Sequence, residues 1–235
     1  MIFKFKQFQV DQTSCAMKIN TDGVLLGALV GYDKPATILD IGTGTGVIAM
    51  MMAQHFPDAV IDAVEIDPAA AETAGRNFDN SPFRNKPNIY PVGLEAYFEV
   101  YLDRKYDVIV SNPPFYINSL TSPGAKKNLA KHTDIEFFER LIKTVCTHLK
   151  THGCFWIIVP VVLKKMIIDM AQKYTAFPRN ILNIRSYTHS DMHRIIVCFS
   201  FDKVSTQIST LTIYEATGVY SEEYQKLLQP YFLNF

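Results

Sequence analysis

The stretch TILDIGTGTGVIAMMMAQHF, Thr37 to Phe56, decides how the rest of the chain is read. It opens apolar and β-branched apart from Asp40, and its last ten residues, apolar but for Gln54 and His55, have helical length. A strand therefore runs into a helix through a turn that holds Gly42, Gly44 and Gly46, the context in which a glycine-rich turn carries meaning. Glycine lets the backbone turn tightly and approach a ligand where a Cβ would obstruct. The spacing D-x-G-x-G-x-G is not the G-x-G-x-x-G of a dinucleotide site, and no Lys-Ser/Thr follows as in a phosphate loop. Asp40, just ahead of the glycines, would repel a pyrophosphate and suits a cationic ligand.

Outward from this stretch, strands and helices alternate. AVIDAVEI reads as a strand and DPAAAETAGRNF as a helix, with Asp67 as cap and Pro68 at its first position. NIYPV is a weak strand, YDVIVS a strong one, and DIEFFERLIKTVCTHL a helix capped by Asp134. CFWIIVP has the unbroken apolar run of a buried strand, and VLKKMIIDMAQKY is helical. RNILNIRSY and RIIVCFSF are two further strands, joined too closely for a helical crossover, so they pair antiparallel at the sheet's end. The pattern predicts an α/β fold, a seven-stranded, mostly parallel sheet with an antiparallel last strand and helices on both faces. One domain is expected over residues 1–235. Within it, 1–36 form an extension, 37–201 the core and 202–235 a C-terminal extension. Ligands of such a sheet sit at the carboxyl ends of its strands.

Composition excludes several classes. With 48% hydrophobic and 20% charged residues in 235, the chain can bury a real core. It has no run of 18 apolar residues and no signal-like apolar N-terminus; MIFKFKQFQV alternates as a strand does. No membrane association is expected, and the location expected is cytoplasmic. Cys15, Cys146, Cys154 and Cys198 show no CxxC or metal-ligand spacing, so free thiols and no metal are expected. The formal charge is zero, which alone argues against nucleic acid. Its distribution differs: residues 1–110 carry 9 Lys and Arg against 14 Asp and Glu, and residues 111–235 carry 14 against 9. A neutral total thus holds an acidic and a basic half.

Glu65 closes the strand after the glycine turn, where an acidic side chain can take both hydroxyls of a ribose. Asp62, facing the other way in that strand, reads as surface. A glycine turn, an acidic ribose grip and Asp40 together fit S-adenosylmethionine, whose sulfonium and amine are positive. LDIGTGTG resembles the first motif of the class I methyltransferases and VEIDP the second. The resemblance implies a Rossmann-like fold of that class. It also implies cofactor contacts from Asp40, Ile41, Gly42, Thr43, Gly44, Gly46, Glu65 and Ile66. That family has an acidic residue after the third strand; here Gly93 and Leu94 stand near that place and Glu95 one step late, so the Leu94 backbone is assigned the adenine contact.

The second decisive stretch is NPPF, Asn112 to Phe115, straight after the YDVIVS strand. Proline cannot donate to a sheet ladder, so the tetrapeptide lies beyond the strand's end, on the edge that carries the glycine turn. In class I methyltransferases, (D/N/S)-P-P-(Y/F/W) at this place marks enzymes that methylate a planar nitrogen. Such an amine has a delocalised lone pair and is a poor nucleophile. Hydrogen bonds accepted by the Asn112 side-chain oxygen and the Pro113 carbonyl draw the nitrogen toward tetrahedral geometry. Pro113 and Pro114 hold the carbonyl rigidly, and Phe115 stacks on a flipped base. Asn112 also borders the cofactor.

Three substrate classes share this motif: adenine, guanine at its exocyclic amine, and the glutamine amide of release factors. The segment MKINTDGVLLGAL, Met17 to Leu29, resembles the MK-x-x-TDGVLLGAW signature of the bacterial tRNA1(Val) adenine-37 N(6)-methyltransferase family. In it a helix opens at Asn20 or Thr21, and Asp22 helps close the pocket over the cofactor's methionine end. GVYSEEY in the C-terminal tail also matches that family, so the resemblance spans essentially the whole chain. It implies a tRNA partner presenting an anticodon-loop adenine to a monomeric enzyme. Lys126, Lys127, Lys131 and His132 follow the NPPF loop, and Arg179, Arg185 and Arg194 lie in the last two strands. Lys126, Lys127, Lys131, Arg185 and Arg194 are the candidates for phosphate contacts. A release-factor glutamine methyltransferase, an rRNA amine methyltransferase and a cofactor-binding RNA module without turnover are the alternatives.

Overall fold

The computed structural model describes residues 1–13, 15, 17–114 and 125–235, with side chains described for all of these except 125–134. The chain opens with a hairpin of β1 (Ile2–Lys4) and β2 (Gln9–Asp11), followed by α1 (Thr21–Leu29). Then come β3 (Thr37–Ile41), α2 (Val47–His55), β4 (Val60–Val64), α3 (Pro68–Asp79), β5 (Asn88–Tyr90), α4 (Leu94–Val100) and β6 (Tyr106–Ser111). They are followed by α5 (Ala125–His148), β7 (Leu149–Pro160), α6 (Lys164–Lys173), β8 (Phe177–Arg185), β9 (Met192–Ser200) and β10 (Gln207–Thr212). A ribbon of β11 (Tyr214–Ala216) and β12 (Val219–Tyr220) leads into α7 (Glu222–Leu228).

The central sheet has eight strands in the order β10-β8-β9-β7-β6-β3-β4-β5. All run parallel except β9, which is antiparallel to both β7 and β8. The antiparallel strand is therefore inserted one place in from β8 and does not sit at the sheet's end. The extra strand, β10, comes from the segment read as a C-terminal extension. It hides from a hydrophobic pattern because Ile208 is 65% exposed and only Leu211 is buried. Its place depends on backbone pairing with β8, which no side-chain period reveals.

Alternation along the inner strands divides the apolar side chains between two faces. Ile38, Ile61, Val108, Ile158 and Ile196 join α1, α2 and α7 on one side. Leu39, Ile109, Ile157 and Val197 join α4, α5 and α6 on the other. Helix α5 starts at Ala125, so Asp134 lies inside it and is no cap. The Ala, Lys and Leu of the stretch before Asp134 are good helix formers and let the helix run through it. Asp62 is also corrected. It is 4% exposed, and its carboxylate faces Arg104 at 2.9 Å, Tyr106 at 2.7 Å and Asn88 at 3.0 Å.

Candidate active site

Strand register builds the site. Ile41 lies level with Val64 on β4 and with Ser111 on β6, so Gly42, Glu65 and Asn112 leave three adjacent strands side by side. The Gly42 and Thr43 amides both donate to the Val64 carbonyl, at 2.9 and 3.1 Å, and fold the turn back over the end of β4. Gly42 (φ +70°) and Gly44 (φ +56°) border open space: a Cβ on either would meet nothing within 4 Å. Gly46 is a glycine for a different reason. A Cβ there would stand 2.5 Å from Cε1 of Phe78, so it is the packing contact between the turn and α3.

Asp40 was expected to face the ligand; the structure puts it beneath the turn. It is wholly buried, and Oδ2 accepts from the Thr43 hydroxyl at 2.6 Å and the Ala49 amide at 3.2 Å. Oδ1 has no hydrogen-bond partner among the described residues. Burial pushes this carboxyl up to about 7, against the two hydrogen bonds, and the nearby Glu65 carboxylate adds to the rise. The Ile41 side chain is in the core and that of Thr43 is taken by Asp40, so both residues offer a ligand their backbone.

Glu65 is 8% exposed, and the turn holds both its oxygens: Oε2 accepts from the Gly44 amide at 2.8 Å and Oε1 from the Asp67 amide at 2.9 Å. Each oxygen keeps a further acceptor site for a hydroxyl. The next residue, Ile66, is 76% exposed and reaches over Gly93, where a Cβ would be 3.3 Å from its Cδ1. Leu94 opens α4, and its cap Gly93 supplies no side-chain hydrogen bond. Glu95 turns away to Arg140, at 3.6 Å. Open glycines, a buried acidic pair with an orphaned oxygen and an apolar ledge fit a nucleoside that carries positive charge. This is the shape and sign of S-adenosylmethionine.

The second wall is the end of β6. Ser111 donates its hydroxyl to the Ile41 carbonyl at 3.1 Å, Asn112 is half-buried, Pro113 is buried and Pro114 exposed. Phe115 lies outside the described residues. Helix α1 begins against this loop. Asn20 caps it, accepting from the Gly23 amide at 2.9 Å. A Cβ on Gly23 would sit 3.6 Å from Asn20 Oδ1 and 3.7 Å from Asn112 Nδ2, so the two amides flank one spot. Asp22 accepts from Arg194 Nε at 2.7 Å, which joins the first turn of α1 to β9 where it faces the end of β7.

The residues assigned to RNA are only partly brought together. Arg194 reaches the site through Asp22. Arg185 stands at the carboxyl end of β8, where Nε donates to Thr212 Oγ1 at 2.9 Å and an Nη to the Thr188 carbonyl at 2.7 Å. Those bonds hold β10 and the β8–β9 turn. Arg179 lies six residues back along the strand, roughly 20 Å away at the opposite edge of the sheet. Lys126, Lys127, Lys131 and His132 fall within α5, and their side chains lie outside the described residues.

One positioning residue escapes the sequence. Asn77 on α3 donates to the carbonyls of Asp11 and Thr45, at 3.0 and 2.8 Å, and accepts from the Asp11 amide at 2.8 Å. It ties β2 to the glycine turn, and an asparagine in an amphipathic helix carries no signal of that.

The methyltransferase small domain family matches residues 18–177, more than half of the chain. A Pedobacter heparinus protein named tRNA1(Val) (adenine(37)-N6)-methyltransferase is 46% identical over 233 residues, covering 99% of this chain and 98% of its own. A Bacteroides thetaiotaomicron protein of the same name is 39% identical over 233 residues, covering 99% and 97%. Among solved structures, an Agrobacterium tumefaciens protein described as a predicted O-methyltransferase superposes with a TM-score of 0.70. It is 21% identical and covers 89% of this chain and 96% of its own, a likeness of fold. A Lactobacillus delbrueckii ribosomal protein L11 methylase follows with a TM-score of 0.59 at 19% identity, covering 81% and 83%.

Proposed function

The chain belongs to the methyltransferase small domain family, and on that premise we propose that it methylates the exocyclic N(6) amine of adenine 37 in valine tRNA. The observation that carries the reading is the position of Asn112-Pro113-Pro114. It leaves β6 beside the glycine turn and Glu65, with α1 closing over it. The names of the relatives support the choice of substrate.

Gly42, Thr43, Gly44, Glu65, Ile66 and the Leu94 amide are the residues we assign to S-adenosylmethionine, with Asp22 bordering its methionine end. When bound, this cofactor supplies a methyl group on a positively charged sulfur. Asp40 acts from beneath, setting the turn through Thr43. Asn112 Oδ1 and the Pro113 carbonyl take the two amine protons of adenine in hydrogen bonds and free the nitrogen lone pair. The proline pair fixes the carbonyl in advance, so alignment supplies most of the catalysis and no strong base is required. Phe115 is assigned the face of the base. Arg194 and the lysines of α5 are assigned to phosphates. Among the described residues no helix is long and apolar enough to cross a membrane; the cytoplasm is the location we assign, on the proposed tRNA substrate.

The test is methyl transfer from labelled S-adenosylmethionine to total bacterial tRNA, with nucleoside analysis of the digest. Label in N(6)-methyladenosine is expected. Good cofactor binding without label in tRNA would overturn the substrate and move the search to rRNA and release-factor glutamine.

A further inference from the structure

A groove of about 490 Å³ opens between the N-terminal hairpin, the start of α1 and the C-terminal segment. Phe3, Tyr220, Phe232 and Phe235 wall it, each half-buried; Tyr220 is already stacked on Tyr224 at 4.9 Å, whereas Phe232 meets Phe3 and Phe235 only at a tilt. Lys4 and Asn20 stand on its rim, and no acidic side chain lines it among the described residues. The aromatic wall continues beyond the groove. Tyr220 stacks on Tyr214 at 5.0 Å, Tyr214 meets Tyr187 at 5.5 Å, and Tyr187 stacks on His189 at 5.5 Å. The series ends in the β8–β9 turn that Arg185 holds.

The groove also adjoins the reaction site. Asn20 and Thr21 line it, and two residues further on Gly23 packs beside Asn112. We propose that the groove takes an unpaired base of the RNA next to the adenine being methylated. The base would stack on the aromatic wall with its phosphate toward Lys4. The inference rests on the RNA reading above and names a subsite for it. A flipped adenine leaves its neighbours unstacked, and aromatic faces receive any base because every base has a π-face. The Asn20 amide can hydrogen-bond a base edge. A lysine on the rim, with no acidic side chain among the described lining residues, suits a phosphate-linked ligand.

The experiment uses the full chain and the anticodon stem-loop of valine tRNA. The nucleotides flanking the target adenine are made abasic one at a time. For the wild type, one abasic neighbour should lower kcat/KM by about 10- to 100-fold, the worth of one base stack. Phe232→Leu keeps an apolar side chain and removes the ring. It should lose a similar factor on the intact loop and little more on that abasic loop. Lys4→Glu, on an exposed side chain, should raise the KM for RNA; both variants should keep the wild-type Kd for S-adenosylmethionine. Losses that multiply independently, or a Phe232→Leu enzyme with unchanged KM, would overturn the subsite while leaving the tRNA activity standing. A wild type that binds cofactor but methylates no intact loop would overturn the function itself, and the subsite with it. A dimer that Phe232→Leu dissociates would make the groove a contact between two copies and also overturn it.

Discussion

Asp40 and Asn112 sit on neighbouring strand ends and should fail in opposite ways. Asn112 is assigned to the reacting amine, so Asn112→Ala should lower kcat by about 100- to 1,000-fold, the usual effect of removing one preorganised polar contact. Cofactor Kd, measured by calorimetry, should change little; an equal loss in both would remove the assignment. Asp40 holds its proton up to about pH 7 in the folded protein, against 3.8 for an ordinary aspartate. The folded state therefore binds more protons between those values. Stability is greatest at the acid end of this window, falls as pH rises through it, and is level above pH 7. Between pH 5 and 8 the fall from this one group is about 2–3 kcal/mol. Asp40→Asn should flatten that profile in urea titrations at the two pH values. The sequence assigned both residues to the site, and the structure places them on neighbouring strand ends. The sequence reading misplaced Asp40 because a motif gives spacing, whereas burial depends on Thr43 and Ala49 closing around the carboxylate.

At the scale of elements, what could be read were features written into neighbouring residues. Asp67 caps α3, accepting from the Ala69 amide, and Asn20 caps α1, because in each case donor and acceptor lie within three residues. The start of α5 and the existence of β10 were not legible. One needed the propensity of a stretch to which no element was assigned, and the other a backbone partner, β8, across the sheet. Asn77 belongs here too, as a side chain joining three elements. Asn77→Ala removes three hydrogen bonds and leaves the Thr45 carbonyl and both Asp11 backbone groups to find others. The expected cost is about 2–4 kcal/mol in thermal or urea unfolding. Cofactor affinity should fall with it, because Thr45 belongs to the glycine turn.

Across the whole molecule, two apolar layers enclose a sheet whose carboxyl edge is kept for chemistry. One buried polar cluster interrupts the layer under α4. There Asp62 faces Arg104 Nη1 at 2.9 Å, Tyr97 hydroxyl at 3.2 Å and Tyr106 hydroxyl at 2.7 Å. The sequence reading sent Asp62 to the surface because its partners come from residues 88–106, which no local pattern joins to it. Arg104→Ala strands the carboxylate in that layer and should cost about 2–3 kcal/mol; the arginine is a third exposed, which keeps the figure below that of a fully buried pair. Differential scanning calorimetry would check it, and methylation at low temperature should survive because the cluster lies away from the strand ends.

The hairpin that opens the chain is held by residues made long after it. The Lys6 ammonium donates to the Gln229 carbonyl at 2.5 Å and to that of Phe235 at 2.8 Å, partners 223 and 229 residues away. The Lys6 amide donates to the Tyr231 carbonyl at 2.7 Å, and α7 packs on the same apolar layer as α1. During synthesis, therefore, the hairpin leaves the ribosome first and waits for its clasp until the C-terminal segment clears the exit tunnel. A chain made only as far as β6 already carries α1 and Asn112, but not α7, which shares the apolar layer of α1 in the finished fold.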